Sequence, residues 1–347
     1  MFKESKIIDK INEIVILNDV ITYKRESKLI INNKEIDINP LLWFIDELNE
    51  CIWLKDEMWD NYFIKLKKLS FEKIDINIAI NSVKGKYCIG FFDNQLSVVN
   101  IKNFTLNFKL STEIQSFKES FFLSEVLIIS TEDIIQCFSI LNKQMIWSLD
   151  INKLESKEIT VVFSSILGIL NNSLFISCNK NNSILSVDIN TGKIQNKWRE
   201  IPGININSQI EGIIPNTESF VLDKEQSKLI GAFHKYYLEI DLKSNEISYV
   251  DVSEELSKYD IIFIKQSNDI SFTKDHLYLT AMIEQYENDT KFTYDCIFLL
   301  NRNTLKIDWI YKFKEASLGT HKPKLSGNKL YQLDNNNTLH VFEKVIK

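Results

Sequence analysis

One unit recurs along this chain: an apolar strand, a polar turn, a second strand, then a short Asn/Ser/Thr turn with an aromatic residue five positions after it begins. Asn142-Lys-Gln-Met-Ile-Trp147 follows the apolar run Ile134 to Ile140, and Thr304-Leu-Lys-Ile-Asp-Trp309 follows Cys296 to Leu300. Ser244-Asn-Glu-Ile-Ser-Tyr249 follows Tyr236 to Leu242, and Asn103-Phe-Thr-Leu-Asn-Phe108 follows Leu96 to Ile101. A fifth copy, Val187 to Lys193, has the fullest turn, with its aromatic Trp198 two places late; Asn32 to Asp37 and Ser70 to Asp75 keep the turn and lose the aromatic. The sixth turn position falls at 37, 75, 108, 147, 196, 249 and 309. The mean spacing, about 45 residues, is that of a four-stranded propeller blade.

The composition of the strands explains why such units stack. IIQCFSI and YDCIFLL are apolar on both sides of the pleat, so a sheet containing them needs cover on two faces. Radial stacking supplies both covers. Pairs such as Thr191-Gly192 and Asn142-Lys143 give the backbone freedom for tight reversals, and the recurring aromatic covers the seam between neighbouring blades. Seven markers predict an all-β, seven-bladed β-propeller of four-stranded antiparallel blades, a single domain over 1–347. Eight blades stay open, because the first segment has room for four strands of its own. Lys329 to Asp334 and Thr338 to Val345 are read as terminal strands. They are expected to close the ring against N-terminal strands around Ile14 to Leu17 and Val20 to Arg25, removing exposed sheet edges.

DINTGK (Asp188 to Lys193) followed by Trp198, together with NKQMIW and TLKIDW, resembles the blades of the PQQ-like or quinoprotein-type β-propeller superfamily, a repeat propeller of WD40-like kind. The resemblance covers most of the chain and is specific for fold. It implies a family that includes dehydrogenases, scaffold lipoproteins and binding modules, so function rests on the site. For the dehydrogenases it further implies export, a quinone with calcium, a vicinal disulfide and a Trp-lined cavity. No Cys-Cys pair occurs here, and charges interrupt every apolar stretch of MFKESKIIDKINEIVILND before it could form a secretory segment. No cofactor is expected.

The remaining chemistry is sparse. Four scattered histidines (His234, His276, His321, His340) show no metal-ligand spacing, and no P-loop, Gly-x-Gly-x-x-Gly turn or Gly-x-Ser-x-Gly elbow is present among only 9 glycines. The five cysteines (Cys51, Cys88, Cys137, Cys178, Cys296) are odd in number and mostly embedded in apolar runs, as reduced thiols of a cytoplasmic protein would be. A net charge of −6 argues against nucleic-acid binding, and no run of some 18 apolar residues argues for a membrane span. The abundance of Asn and Ile is that of an AT-rich, bacterial genome.

Function is therefore sought where loops depart from the repeat. Pro40 to Tyr62 interleaves Trp43, Phe44, Trp53, Trp59 and Tyr62 with Asp46, Glu47, Glu50, Asp56, Glu57 and Asp60. The same residues also read as a blade strand plus an amphipathic turn, Trp43 to Leu48, whose aromatics are core. Asp251 to Asp260 predicts one or two helical turns capped by Ser253 and carrying Glu254 and Glu255. Glu284 to Tyr294 reads as a charged hairpin extension. The favoured reading is a monomeric, non-catalytic cytoplasmic propeller that binds a protein, with Trp43, Asp46, Glu47, Trp53, Asp56, Glu57, Trp59, Asp60, Glu254 and Glu255 as contact residues. An immunity protein neutralising a basic toxin fits the acidic balance. The alternatives are a propeller enzyme (quinone-dependent oxidoreductase, hydrolase or lyase) and a structural scaffold.

Overall fold

The computed structural model describes the chain except residues 18–19, 47–50, 67, 69, 75–78, 85, 93–94, 102–104, 111–116, 132, 155–161, 180–182, 200–218, 266–269, 288–289, 314–316, 320 and 346–347. The described residues form eight antiparallel sheets in chain order. Blade 1 spans 11–36, blade 2 40–74, blade 3 79–109, blade 4 119–150, blade 5 162–198, blade 6 220–251 and blade 7 261–313. Blade 8 comprises Lys324–Ser326, Lys329–Leu333 and Leu339–Lys344, with Phe2–Ile8 as its fourth strand. Each sheet has four strands, except that blade 7 adds the short strand Ser271–Phe272. Two compact units are distinguished, one of blades 1 to 3 with the greater part of blade 4, the other of blades 5 to 8.

The count is eight blades, not the seven expected. The seven markers fall on or beside the fourth, outer strand of blades 1 to 7. The outer strand of blade 8 lies at the opposite end of the chain, so no eighth marker follows position 309. The N- and C-terminal strands do share a sheet, as expected. The partner is Phe2–Ile8, however, whereas Ile11–Leu17 and Val20–Arg25 belong to blade 1. Phe2 packs at the seam with blade 7, its ring centroid 5.6 Å from that of Trp309 and 6.3 Å from that of Tyr278.

Why these residues make blades is visible in burial. Ser183 to Val187 is buried at every position, and so are Cys296 to Leu300, so the inner strands are covered on both faces. The core is accordingly a series of seams. Phe175, Ile184 and Trp198 of blade 5 pack on Phe220, Leu229 and Leu238 of blade 6. Ile89 and Phe108 of blade 3 pack on Phe122 and Leu127 of blade 4 in the same way. The marker aromatics do close these seams, and Trp198 also donates from Nε1 to the Asn245 carbonyl at 3.2 Å.

The turns before the markers of blades 4 to 7 share one construction. In each, the first residue offers a side-chain oxygen to backbone N–H groups two or three residues on, and the fifth residue adopts the left-handed conformation. Asp188 Oδ1 accepts from Asn190 and Thr191, Asp241 Oδ1 from Lys243 and Ser244, Asn301 Oδ1 from Asn303 and Thr304, and Ser139 Oγ from Asn142. The fifth residues are Gly192, Asn245, Leu305 and Lys143, with φ of 71°, 63°, 54° and 56°. Gly192, Asn245 and Leu305 donate back to the first residue's carbonyl at 2.8 Å. Lys143 carries a Cβ into this region, which costs about 1–2 kcal/mol. Lys143→Gly is therefore expected to raise unfolding free energy by about 1 kcal/mol in chemical denaturation, with no change of fold.

Candidate protein-binding surface

Pro40 to Tyr62 is not a loop that departs from the repeat. It supplies two strands of blade 2, Pro40–Asp46 and Cys51–Asp56, and the start of a third, Asn61–Lys65. Between the last two, Asp56 organises a five-residue reversal. Its Oδ1 accepts the N–H groups of Met58 and Asp60, both at 2.9 Å, while its backbone exchanges bonds with Trp59 and Asp60 at 3.0 and 3.1 Å. Trp59 sits at φ 65°, and the tip is formed by Met58, 80% exposed, and Trp59, 60% exposed.

The indole is held from one side. Lys55 is buried, its Nζ lies 4.5 Å from the centroid of the Trp59 ring, and burial lowers its pKa below the ordinary lysine value. A cation fixed against a π face orients that face before any partner arrives, and reduces the ordering cost of binding. Around the tip the acids are already engaged. Glu57 accepts from the Asn39 carboxamide, Asp60 pairs with Lys73, and Asp56 builds the turn and raises the Tyr62 phenol after burial has done so. The result is an apolar knob on a preorganised turn, bordered by carboxylates.

Of the residues expected to contact a partner, Asp56, Glu57, Trp59 and Asp60 are brought together here. Trp53 is not among them: it is 2% exposed, packed with Cys51, Ile74, Val83, Cys88 and Val99, with Phe63 at 4.9 Å. The interleaving of aromatics with acids reflects a strand whose faces are both buried, next to a turn. Trp43 and Asp46 lie on Pro40–Asp46, paired in backbone register with Leu54 and Cys51, and their side chains are outside the described ones. Glu47 lies outside the described residues. Sequence reasoning missed Met58 and Lys55, although two large apolar residues inside a turn were a readable signal.

Glu254 and Glu255 belong to the other unit. The expected helix is present as Ser253–Ser257, but Ser253 is its first helical residue and does not cap it. Asp251 Oδ1 accepts the Ser253 N–H at 2.9 Å, and Val252 takes the cap position without a side-chain bond. Glu254 is exposed. Glu255 is not a surface contact: its Oε1 accepts the Ile307 N–H at 2.9 Å, its Oε2 meets Lys258 at 2.7 Å, and its side chain is 12% exposed. It ties the helix to the outer strand of blade 7. The third expected departure, Glu284 to Tyr294, is a two-stranded projection continuing the paired strands His276–Glu287 and Thr290–Asn301, with Glu284 bound to Lys291.

Buried polar groups elsewhere act as joints. Arg302 meets Asp223 at 2.8 Å, the Thr273 carbonyl at 3.0 Å and Gln226 at 3.2 Å, linking blades 6 and 7. His340 lies between Glu4 at 2.8 Å and Asp334 at 3.3 Å, linking the outer strand of blade 8 to its neighbour. Among the described residues no group of three or more His, Cys, Asp and Glu is placed to hold a metal. All five cysteines are buried and none is in a disulfide, and burial raises the thiols of Cys88, Cys137 and Cys296 to about 12.

No family profile and no curated protein matches the sequence. Solved structures do match in shape. BamB from Moraxella catarrhalis is similar at a TM-score of 0.60 and 10% identity, over 99% of this chain and 100% of that one. Sqt1 from Saccharomyces cerevisiae gives 0.64 and 9%, over 99% of each, and the C-terminal WD40 domain of Sif2 gives 0.59 and 12%, over 100% and 99%. At these identities the likeness shows fold alone. The chain is a β-propeller, and the resemblance to PQQ-like and WD40-like propellers holds at that level.

Two side chains separate core from surface. Trp53→Ala is expected to cost about 3–5 kcal/mol in chemical denaturation, as for a fully packed aromatic. At Glu255, burial alone would raise the pKa, but Lys258 and the Ile307 N–H outweigh it and hold the carboxyl below its ordinary value. Such a group contributes stability that is present above its unfolded pKa, about 4.3, and is lost as pH falls through the folded one. The melting temperature of Glu255→Gln should therefore lie below that of the parent at pH 7 and converge with it in acid.

Proposed function

We propose that the protein is a non-catalytic, cytoplasmic propeller that captures another protein with the Met58–Trp59 turn of blade 2. The observation that carries this reading is the exposed indole itself. A large aromatic held outward by a turn, with its orientation fixed by Lys55, has the anatomy of an interface anchor. Asp56, Glu57 and Asp60 form the polar rim, and their charge is partly neutralised by Lys73. The net charge of −6 favours approach of a basic partner, and a toxin neutralised by its immunity protein is the partner of that chemistry we favour. Affinity would come from the apolar tip, and the acids would steer and orient.

The test separates binding from folding. The protein and its Trp59→Ala and Met58→Ala variants are used as bait against extracts of the native cells. A basic protein should be retained by the parent and reduced at least about tenfold by Trp59→Ala, because anchor residues typically contribute about 2 kcal/mol or more. The melting temperature of the variant should stay within about 1 °C of the parent, since the side chain contributes little to the core. Equal retention by both proteins would overturn the proposal.

A further inference from the structure

Among the described residues the outer strand of every blade is a sheet edge, and a sheet edge is a template for another strand. Most of these edges are guarded by charge. KEI at 34–36, SFEKI at 70–74, TLNFK at 105–109, IQNKW at 194–198, IDWIYKF at 307–313 and FKESKII at 2–8 each contain lysine. ISYVD at 247–251 is short and bordered by Glu246 and Asp251. The edge of blade 4, Gln144–Asp150, reads QMIWSLD and is uncharged over its first six residues. Gln144, Met145 and Ile146 are consecutively exposed, Met145 at 51% and Ile146 at 42%, and Leu141 in the preceding turn is 68% exposed.

We propose that this edge pairs with the same edge of a second copy of the chain. The two ends of the strand carry opposite charges, Lys143 just before it and Asp150 at its close. Antiparallel pairing across a two-fold axis brings the Lys143 end of each copy to the Asp150 end of the other. Centred on Ile146, that register sets Ile146 against its own copy, Met145 against Trp147, and Lys143 against Leu149 beside Asp150. The Asp150 carboxylate accepts the Asn152 N–H at 3.1 Å and pairs with Lys153, which is 81% exposed, so its existing ion pair is a weak surface one. The contact is isologous and consumes both edges, so assembly stops at two. One strand and three apolar side chains fall short of the roughly 800 Å² that each partner contributes to a stable complex, so the dimer is weak and concentration-dependent. This surface is independent of the Met58–Trp59 turn, and either proposal can fail alone.

Sedimentation analysis of the full chain from about 1 to about 300 µM reads the outcome directly. The expected result is a mass rising from one chain toward two and no further. Ile146→Lys and Met145→Lys, on opposite faces of the strand, should each leave a monomer at every concentration with an unchanged melting temperature. Val250→Lys on the blade 6 edge should leave the dimer intact. A parent that is monomeric throughout, a dimer that survives both blade 4 substitutions, or open-ended growth beyond two chains would each overturn the proposal.

Discussion

A four-stranded sheet whose inner strands are apolar on both faces cannot shelter itself, and the organisation of this protein follows from that fact. Cys51 to Lys55, Leu127 to Ser130 and Ser183 to Val187 are buried along their whole length, with no polar face to offer water. Each sheet must be covered twice, and the hydrophobic clusters within each unit accordingly draw on two successive blades. Several of the buried charges are paired. Arg302 with Asp223, and Lys265 with Asp295 at 2.6 Å, keep their counter-charges, while the buried Lys55 lies against the Trp59 ring instead.

Much of the architecture was legible in the sequence because one local device repeats. The side-chain acceptor at the start of the turns of blades 4 to 7 and the left-handed residue four positions later produce the Asp/Asn/Ser and Gly/Asn signals that set the period. The miscount has an equally physical origin. A period read along the chain cannot register a blade whose last strand lies 336 residues from the one it joins, as Ser5 does from Val341. The site was less legible. In Cys51–Asp56 every position from Cys51 to Lys55 is buried, so period-two alternation gave no means of telling the inward Trp53 from the outward Trp59. Only the turn geometry set by Asp56 separates them.

The acids illustrate why charge composition is a blunt guide in such a chain. With 9 glycines among 347 residues, reversals cannot rely on glycine, and carboxylates take over part of that work. Asp56, Asp188, Asp241 and Asp334 each accept backbone N–H groups in turns, and Glu255 holds a helix to a strand. What remains for a partner is a rim of carboxylates beside an apolar tip rather than a continuous acidic field.

Joining the two termini in one sheet imposes an order on the making of the molecule. During synthesis residues 2–8 are made long before the strand they pair with, Leu339–Lys344. The opening segment must wait, with Phe2 uncovered, while seven sheets assemble downstream of it. Blade 8 is then a clasp that shuts only once Leu339–Lys344 has been made, and a ribosome that stalls before Leu339 releases a product in which Phe2–Ile8 has nowhere to dock.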